Sequence, residues 1–152
     1  MALAISTAAF TPGGPIPVRF TCQGEDISPA LAWSGAPERT GGFALIVEDP
    51  DAGGIFCHWL LFNMPAGTTS LPENASPRGL PSGAIEGVND FGRPGYGGPC
   101  PPPGKPHRYY FRLYALNGLL GLKSGASRTQ ALAAMKGLVL AEAQVMGTYQ
   151  RR

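Results

Sequence analysis

The chain has two histidines, His58 and His107, which lie 49 positions apart. The turn at 49–54 (DPDAGG) precedes the first, and the loop at 95–106 (GYGGPCPPPGKP) precedes the second. A protonated imidazole supplies both positive charge and N–H donors, which are what an anion needs from its binding site. If the fold brings the two histidines together, they form a polar pocket suited to phosphate or a similar anion.

Further polar groups near the histidines complete the expected pocket. Gly97 and Gly98 can adopt positive φ, which would let their backbone N–H groups approach a ligand closely. Tyr109 adds a hydroxyl donor. Because Asp49 and Asp51 would repel an anion, we expect at least one of them to orient an imidazole and keep it cationic, and the other to form the turn.

Strands are predicted where they would position these groups. Residues 43–47 (FALIV) form a short apolar run typical of a buried strand, and a weaker pattern at 15–20 also favours a strand. Residues 107–116 alternate so that His107 and Tyr109 share the apolar face. In a fourth strand, at 56–64, period-two geometry predicts that five side chains share one face: Phe56, His58, Leu60, Phe62 and Met64.

The remaining segments indicate long loops and one helix. Residues 65–106 are rich in Gly, Pro, Ser and Asn, which predicts surface loops. Ser127 and Gln130 have the spacing of a capping box, and Gly137 suits a left-handed helix stop. We therefore expect a short helix followed by a strand over 141–149, with one long helix through Gly137 as the alternative, at a cost of about 1 kcal/mol.

Composition limits the class of protein. The 152 residues fit one domain, 1–152, and 43% hydrophobic residues are enough for a core. The 22 glycines and 16 prolines indicate a loop-rich fold. A net charge of +2, with no Lys/Arg cluster beyond 151–152, gives nucleic-acid binding little support. No apolar run approaches the roughly 18 residues of a membrane span.

The N-terminus and the cysteines favour a cytoplasmic location. Residues 1–6 (MALAIS) lack the basic and apolar regions of a signal peptide. The three cysteines, Cys22, Cys57 and Cys100, form no CxxC motif, and their odd number fits a reducing compartment. A Cys22–Cys100 disulfide is an alternative that the sequence leaves open.

Several separate motifs occur in one order along nearly the whole chain. They are FTCQG at 20–24, ISP at 27–29, DPDA at 49–52, HW at 58–59, NDFG at 89–92, the loop at 97–102, HRY at 107–109 and GTY at 147–149. With these motifs the chain resembles the phosphatidylethanolamine-binding protein family, and most closely its bacterial branch of Raf-kinase-inhibitor-like proteins.

The resemblance implies a mainly β fold: a β-sandwich of two sheets with one or two short peripheral helices. It also implies a small anion pocket at one end of the sandwich. The residues that the resemblance assigns to this pocket, with the two prolines shaping its wall, are Asp49, Asp51, His58, Gly97, Gly98, Pro99, Pro101, His107 and Tyr109.

We therefore expect a soluble binding protein for phosphate-bearing head groups or similar small anions, with no cofactor. The resemblance adds regulation of protein partners such as kinases, and apolar residues on exposed loops would support a homodimer. Each histidine also has a purely structural interpretation, because a single histidine among apolar residues is more often a satisfied core residue.

Two other functions stay open at this point. A hydrolase would need an activated nucleophile, and Cys100 with His107 is the candidate pair, since no serine lies in a G-x-S-x-G motif. A metal site would use His58, His107, Asp49 and Asp51, whose types suit zinc, although HxH and HxxxH spacings are absent. We expect a binding protein rather than an enzyme.

Overall fold

The computed structural model describes residues 2–151 and contains two antiparallel sheets. The elements are β1 (Ala4–Ser6), β2 (Leu31–Ser34), β3 (Gly42–Asp49), β4 (Phe56–Pro65), β5 (Ser70–Leu71), β6 (Ile85–Glu86), β7 (His107–Leu116), α1 (Arg128–Met135) and β8 (Val139–Tyr149). The larger sheet has the strand order β6-β4-β3-β7-β8 and the smaller one the order β1-β2-β5. This mainly β sandwich with one short helix in residues 2–151 confirms the expected fold.

Strand β3 lies at the centre of the larger sheet and is buried along its whole length. Its Phe43 and Leu45 pack in the core between the two sheets. Ala44 and Ile46 pack on the opposite face, against a second core that includes Met135 of α1. Burial on both faces explains why this strand is an uninterrupted apolar run, as predicted.

Strand β7 begins and ends where the alternation predicts, at His107 and Leu116. Tyr109 and Phe111 are buried in the core between the sheets. On the other face, Arg112 hydrogen-bonds Glu48 of β3, with Nε 2.6 Å from Oε1. The predicted division of this strand into an apolar and a polar face is confirmed.

Strand β4 departs from simple alternation. Its pairing with β3 shifts register opposite Phe43–Leu45 and again opposite Val47–Glu48, as at β-bulges. Because each bulge inserts one extra residue, the faces exchange along the strand. Leu60 and Phe62 face the helix side, whereas Met64 joins the core between the sheets. The prediction that five alternate residues of β4 share one face is therefore wrong.

The N-terminal segment also differs from expectation. Residues 15–20 do not form a strand: Val18–Phe20 is a 3-10 turn, and Pro15 makes only an isolated bridge to Thr148. Pro15 and Pro17 lack the N–H groups that a strand ladder requires, which accounts for the difference.

The C-terminal elements follow the sequence signals. Ser127 caps α1, and the side chain of Gln130 returns a hydrogen bond to the Ser127 backbone, as in the predicted capping box. Gly137 has φ of +84° and ends the helical segment. The alternative of one long helix is wrong, since β8 begins at Val139. No helix within residues 2–151 has the length and apolar character needed to cross a membrane.

Candidate functional site

A pocket of about 410 Å³ lies at one end of the larger sheet. Because β3 runs antiparallel to β4 and β7, the end of β3 and the beginnings of the other two strands meet there. The pocket therefore contains both histidines. Its lining residues are Asp49, Asp51, Ala52, Gly53, Phe56, His58, Phe91, Cys100, Pro101, Pro102, His107 and Tyr109.

Asp49 holds His107 in place. Its Oδ2 lies 2.6 Å from Nδ1 of the imidazole, and the two side chains are only 3% and 13% exposed. The other carboxylate oxygen accepts a hydrogen bond from the backbone N–H of Asp51 at 2.7 Å. One buried carboxylate thus orients the ring and also closes the turn after β3, two roles that we had expected to fall to different aspartates.

His58 is almost completely buried, and its Nδ1 lies 2.7 Å from the carbonyl oxygen of Gly97. Since a carbonyl only accepts hydrogen bonds, Nδ1 carries the proton and Nε2 is the atom left for a ligand. Burial lowers the pKa of His58 from its ordinary value of 6.5, and the bond to Gly97 opposes this shift only in part. Without a ligand this ring is therefore neutral at pH 7.

Asp51 faces Arg108 at the edge of the pocket. Its two carboxylate oxygens accept from Nε at 3.0 Å and from Nη2 at 2.8 Å, and one of them also accepts from the Arg108 backbone N–H. These hydrogen bonds lower the pKa of Asp51 to about 2. The carboxylate is ionised at neutral pH, but its charge is balanced by the guanidinium.

Aromatic rings form much of the pocket wall. The ring of His58 lies 4.8 Å from that of Phe56, 5.4 Å from that of Phe91 and 5.3 Å from that of Tyr109, measured between centroids. The Tyr109 hydroxyl is buried and has no hydrogen-bond partner within residues 2–151. Burial, together with the charge and a weak polar interaction of the nearby Asp49 carboxylate, raises the pKa of Tyr109, so the hydroxyl stays protonated and can donate a hydrogen bond.

Gly97, Gly98 and Pro99 do not line the pocket, which corrects the sequence prediction. The N–H of Gly97 donates to the carbonyl of His58 at 2.9 Å, and that of Gly98 donates to Oδ1 of Asp26 at 2.7 Å. A Cβ on Gly98 would lie 2.2 Å from the backbone oxygen of Phe20. Glycine is needed here because two chain segments lie close together; these amides are not free to bind an anion.

Several lining residues were not predicted from the sequence. Phe56 was assigned only to a strand face, and Phe91 only to the NDFG motif. Phe91 is 41% exposed, so no burial pattern marked it. Its position in a motif that matched the family was the one available signal. Pro102, which was not predicted either, directly follows Pro101 in the pocket wall.

The structure does not support the groups proposed for the two alternative functions. Cys100 is bonded to Cys22 in a disulfide, so it has no thiol to act as a nucleophile, and the inference of a reducing compartment from the cysteines no longer holds. The cytoplasmic location stays a prediction. Within residues 2–151, no group of three or more His, Cys, Asp or Glu side chains is arranged to hold a metal ion.

Known proteins resemble this chain over nearly its whole length. The family model described as phosphatidylethanolamine-binding protein matches residues 6–150. A UPF0098 protein of Methanothermobacter thermautotrophicus is 50% identical over 149 residues, which are 97% of this chain and 98% of that protein. A UPF0098 protein of Aquifex aeolicus is 45% identical over 150 residues, covering 97% and 88% of the two chains.

Two crystal structures have the same fold. YbcL of E. coli, described as a member of the mammalian PEBP family, superposes with a TM-score of 0.94 at 35% identity and covers 100% of both chains. CT736 of Chlamydia trachomatis, described as a phosphatidylethanolamine-binding protein homologue, superposes with a TM-score of 0.91 at 39% identity and covers 99% of each chain.

Proposed function

The chain belongs to the phosphatidylethanolamine-binding protein family, and we propose that its pocket binds a small ligand with a phosphate-bearing or similar anionic head group. The observation that carries this proposal is the pair of anchored imidazoles. His58 is fixed through Nδ1 to Gly97 and His107 through Nδ1 to Asp49, and both rings line one pocket. Each ring thus has Nε2 left for the same ligand.

Tyr109 adds the third polar group. Its hydroxyl has no partner among the described residues, and a buried donor without a partner costs about 1–3 kcal/mol. A ligand oxygen within the pocket would satisfy it. Two imidazoles and one phenol are together suited to the several acceptor oxygens of a phosphate group.

The charges of the site determine the form in which the anion binds. Asp51 is balanced by Arg108, but Asp49 lies beside His107 within the pocket. A dianion would meet the negative charge of Asp49 unless the imidazoles take up protons. Binding should therefore be coupled to protonation of His58, which is neutral in the free protein.

The aromatic wall favours an organic ligand over the bare anion. Phe56 and Phe91 line the pocket beside His58, and their rings are 4.8 Å apart. Burying apolar area stabilises a complex by about 25 cal/mol per Å². Phosphomonoesters should therefore bind more tightly than inorganic phosphate.

Long-range ¹H–¹⁵N spectra of the two imidazoles test the proposal during titration with inorganic phosphate and with O-phosphorylethanolamine. The signals of His58 and His107 should shift together and saturate at one ligand concentration. Ethanolamine without phosphate is the control ligand and should have no effect. If neither imidazole responds to either phosphate compound, the histidines are structural and the proposal is wrong.

Variants identify the groups involved. His58→Ala and His107→Ala should each weaken binding of O-phosphorylethanolamine by about tenfold or more, as expected for loss of a hydrogen bond to a charged group. Lys105→Ala is the matched control, because Lys105 is an exposed cation on the loop next to the pocket and does not line it. Regulation of a protein partner such as a kinase, and homodimer formation, stay predictions from the sequence.

A further inference from the structure

A disulfide connects the pocket wall to the segment before β2. Cys100 lines the pocket, and its partner Cys22, which lies 78 positions earlier in the chain, is exposed. The remaining cysteine, Cys57, is buried and free. One cysteine of the disulfide is therefore an exposed residue, while the other belongs to the site.

Residues 100–106, which include the lining residues Pro101 and Pro102, have few other bonds to the rest of the fold. Residues 100–106 include four prolines and make no backbone–backbone hydrogen bond within the described part of the chain. Two side chains contact the segment: Gln150 donates to the Gly104 carbonyl at 2.7 Å and Arg151 to the Pro101 carbonyl at 3.0 Å. Within residues 2–151 the disulfide is thus the one covalent cross-link between this part of the wall and another segment.

The preceding residues, in contrast, are held independently of the disulfide. The hydroxyl of Tyr96 donates to the Phe20 carbonyl at 2.7 Å, and the amide of Gly98 donates to Asp26. The amide of Gly97 donates to the His58 carbonyl. Opening the disulfide would therefore leave residues 100–106 held only by the side chains of Gln150 and Arg151, and would keep the hydrogen bonds between His58 and Gly97 in place.

A guanidinium lies beside the sulfur atoms. Nη2 of Arg151 is 3.5 Å from Sγ of Cys100 and 3.9 Å from Sγ of Cys22. Positive charge stabilises a thiolate, and a disulfide breaks faster when the leaving sulfur is the better stabilised thiolate. Because Cys22 is the more exposed of the two cysteines, we expect its sulfur to be attacked. Because the guanidinium of Arg151 lies closer to the sulfur of Cys100, we expect Cys100 to be the better leaving group.

We propose that the Cys22–Cys100 disulfide is a site of thiol–disulfide exchange with small-molecule thiols, and that its opening loosens the pocket wall. The thiolate of the incoming thiol attacks Sγ of Cys22. The sulfur–sulfur bond breaks and its electron pair leaves on Cys100 as a thiolate beside Arg151. A second thiolate then attacks the small-molecule sulfur of the mixed disulfide and releases Cys22. Two thiols are oxidised to one disulfide, and the protein gains two electrons.

The consequence for the ligand follows from the position of Cys100. Pro101 and Pro102 line the pocket next to it, so a released segment 100–106 no longer holds this wall against the bound ligand. Affinity should fall at least threefold because the ligand must then order the segment on binding. This second step rests on the proposed function, whereas the exchange chemistry does not.

Mapping of the adduct tests the exchange step on the native protein. The protein is incubated with glutathione, quenched with iodoacetamide and analysed by peptide mass spectrometry. We expect the glutathione adduct on Cys22 and the alkylated thiol on Cys100. Cys57 should stay unmodified, because its modification would report unfolding. An adduct mainly on Cys100, or no reaction before denaturant unfolds the protein, would overturn the proposal.

A matched pair of variants tests the role of the guanidinium. Arg151→Gln should slow reduction by dithiothreitol about threefold to tenfold, since the leaving thiolate loses its stabilising charge. Arg19→Gln is the control: it removes the same charge from a surface arginine, but the guanidinium of Arg19 pairs with Glu25 and Glu73 and not with the disulfide. Equal reduction rates for the two variants would contradict the assignment of Cys100 as the leaving group.

Phosphate binding of the two redox states tests the second step. The dissociation constant for O-phosphorylethanolamine is measured for the oxidised protein and for the protein reduced and alkylated at Cys22 and Cys100. We expect at least a threefold weakening on opening, and equal constants would overturn the coupling to the pocket. If the oxidised protein does not bind at all, the proposed function fails, while the adduct map still decides the exchange step by itself.

Discussion

Asp49 and His107 are hydrogen-bonded across neighbouring strands, as the last residue of β3 and the first residue of β7. A second pair, nearer the surface, connects the same two elements: Arg108 donates a hydrogen bond to Asp51. Two acid–base pairs thus attach the turn after β3 to the beginning of β7. The inner pair is buried and orients an imidazole towards the pocket, whereas the outer pair is half-exposed and keeps the turn in place.

Binding of a phosphate compound should be accompanied by proton uptake at His58. Burial lowers the pKa of this histidine below 6.5, so the free ring is neutral at pH 7, and a bound anion favours the cation. Affinity should therefore rise as the pH falls towards 6, by about tenfold per pH unit at most for one proton. Calorimetry of O-phosphorylethanolamine binding in buffers of different ionisation enthalpy measures the uptake.

His58→Gln is the control for this proton uptake. Glutamine can still donate to the Gly97 carbonyl but does not titrate, so the difference between the two proteins removes the ligand's own protonation. A variant that takes up as many protons as the wild type would show that His58 is not the linked group.

The sequence predicts the elements whose signals are local. Strand β7 could be placed to the residue because hydrophobic alternation is uninterrupted from His107 to Leu116. The start of α1 could be placed because Ser127 and Gln130 cap it through contacts only three residues apart. The meeting of His58 and His107 came from the family resemblance, because alternation within each strand does not state which strands are neighbours.

Features that depend on distant contacts were not predictable in the same way. The bulges of β4 reverse which residues face the core. Between Phe56 and Met64 only Asn63 signals an irregular backbone in the sequence, and in the structure it has φ of 59°. Gly98 was assigned to ligand binding from its flexibility, but its real constraint is the backbone at Phe20. The pairing of Cys22 with Cys100 likewise depends on the tertiary fold.

The Asp51–Arg108 pair should contribute to stability only above acidic pH. Because Arg108 lowers the pKa of Asp51 from 3.8 to about 2, the contribution is complete above about pH 4 and is lost as the pH falls towards 2. Asp51→Asn should therefore have a lower melting temperature than the wild type at pH 5–7, with a difference that shrinks towards pH 2. The pair is solvent-accessible, so high salt should reduce the difference.

Thermal unfolding between pH 2 and pH 7 checks this prediction. Glu38→Gln is the matched control, since Glu38 is an exposed carboxylate on the turn before β3. If the gap between Asp51→Asn and the wild type stays constant over this pH range, the ion pair does not stabilise the fold.

Asp26 should position the pocket although it does not line it. Its Oδ1 accepts the Gly98 amide, next to the carbonyl of Gly97 that holds His58. Asp26→Gly tolerates the local φ of 59° and removes both the acceptor for Gly98 and the long ion pair with Arg93, whose atoms lie 3.9 Å apart. We expect a loss of about 1–2 kcal/mol in the free energy of unfolding and a shifted imidazole signal of His58.

Asp26→Asn retains a side-chain oxygen and tolerates the left-handed conformation, so it serves as the control. Urea unfolding and the His58 spectrum together distinguish the two variants. If the His58 imidazole signal has the same chemical shift in Asp26→Gly as in Asp26→Asn, the hydrogen bond from Gly98 to Asp26 does not position the ring.

Substitution of Gly98 tests how closely the pocket loop must approach the neighbouring segment. An added Cβ would lie 2.2 Å from the Phe20 oxygen and 2.9 Å from the Thr21 Cα, which are backbone atoms that cannot rotate away. Gly98→Ala should therefore destabilise the fold by about 1–3 kcal/mol and displace Gly97 from His58. Gly121→Ala is the matched control: its Cβ would meet nothing within 4 Å, so we expect a change within about 0.5 kcal/mol. Equal stability of the two variants in urea, with unchanged His58 signals in both, would mean that the loop can move away from Phe20 without disturbing the pocket.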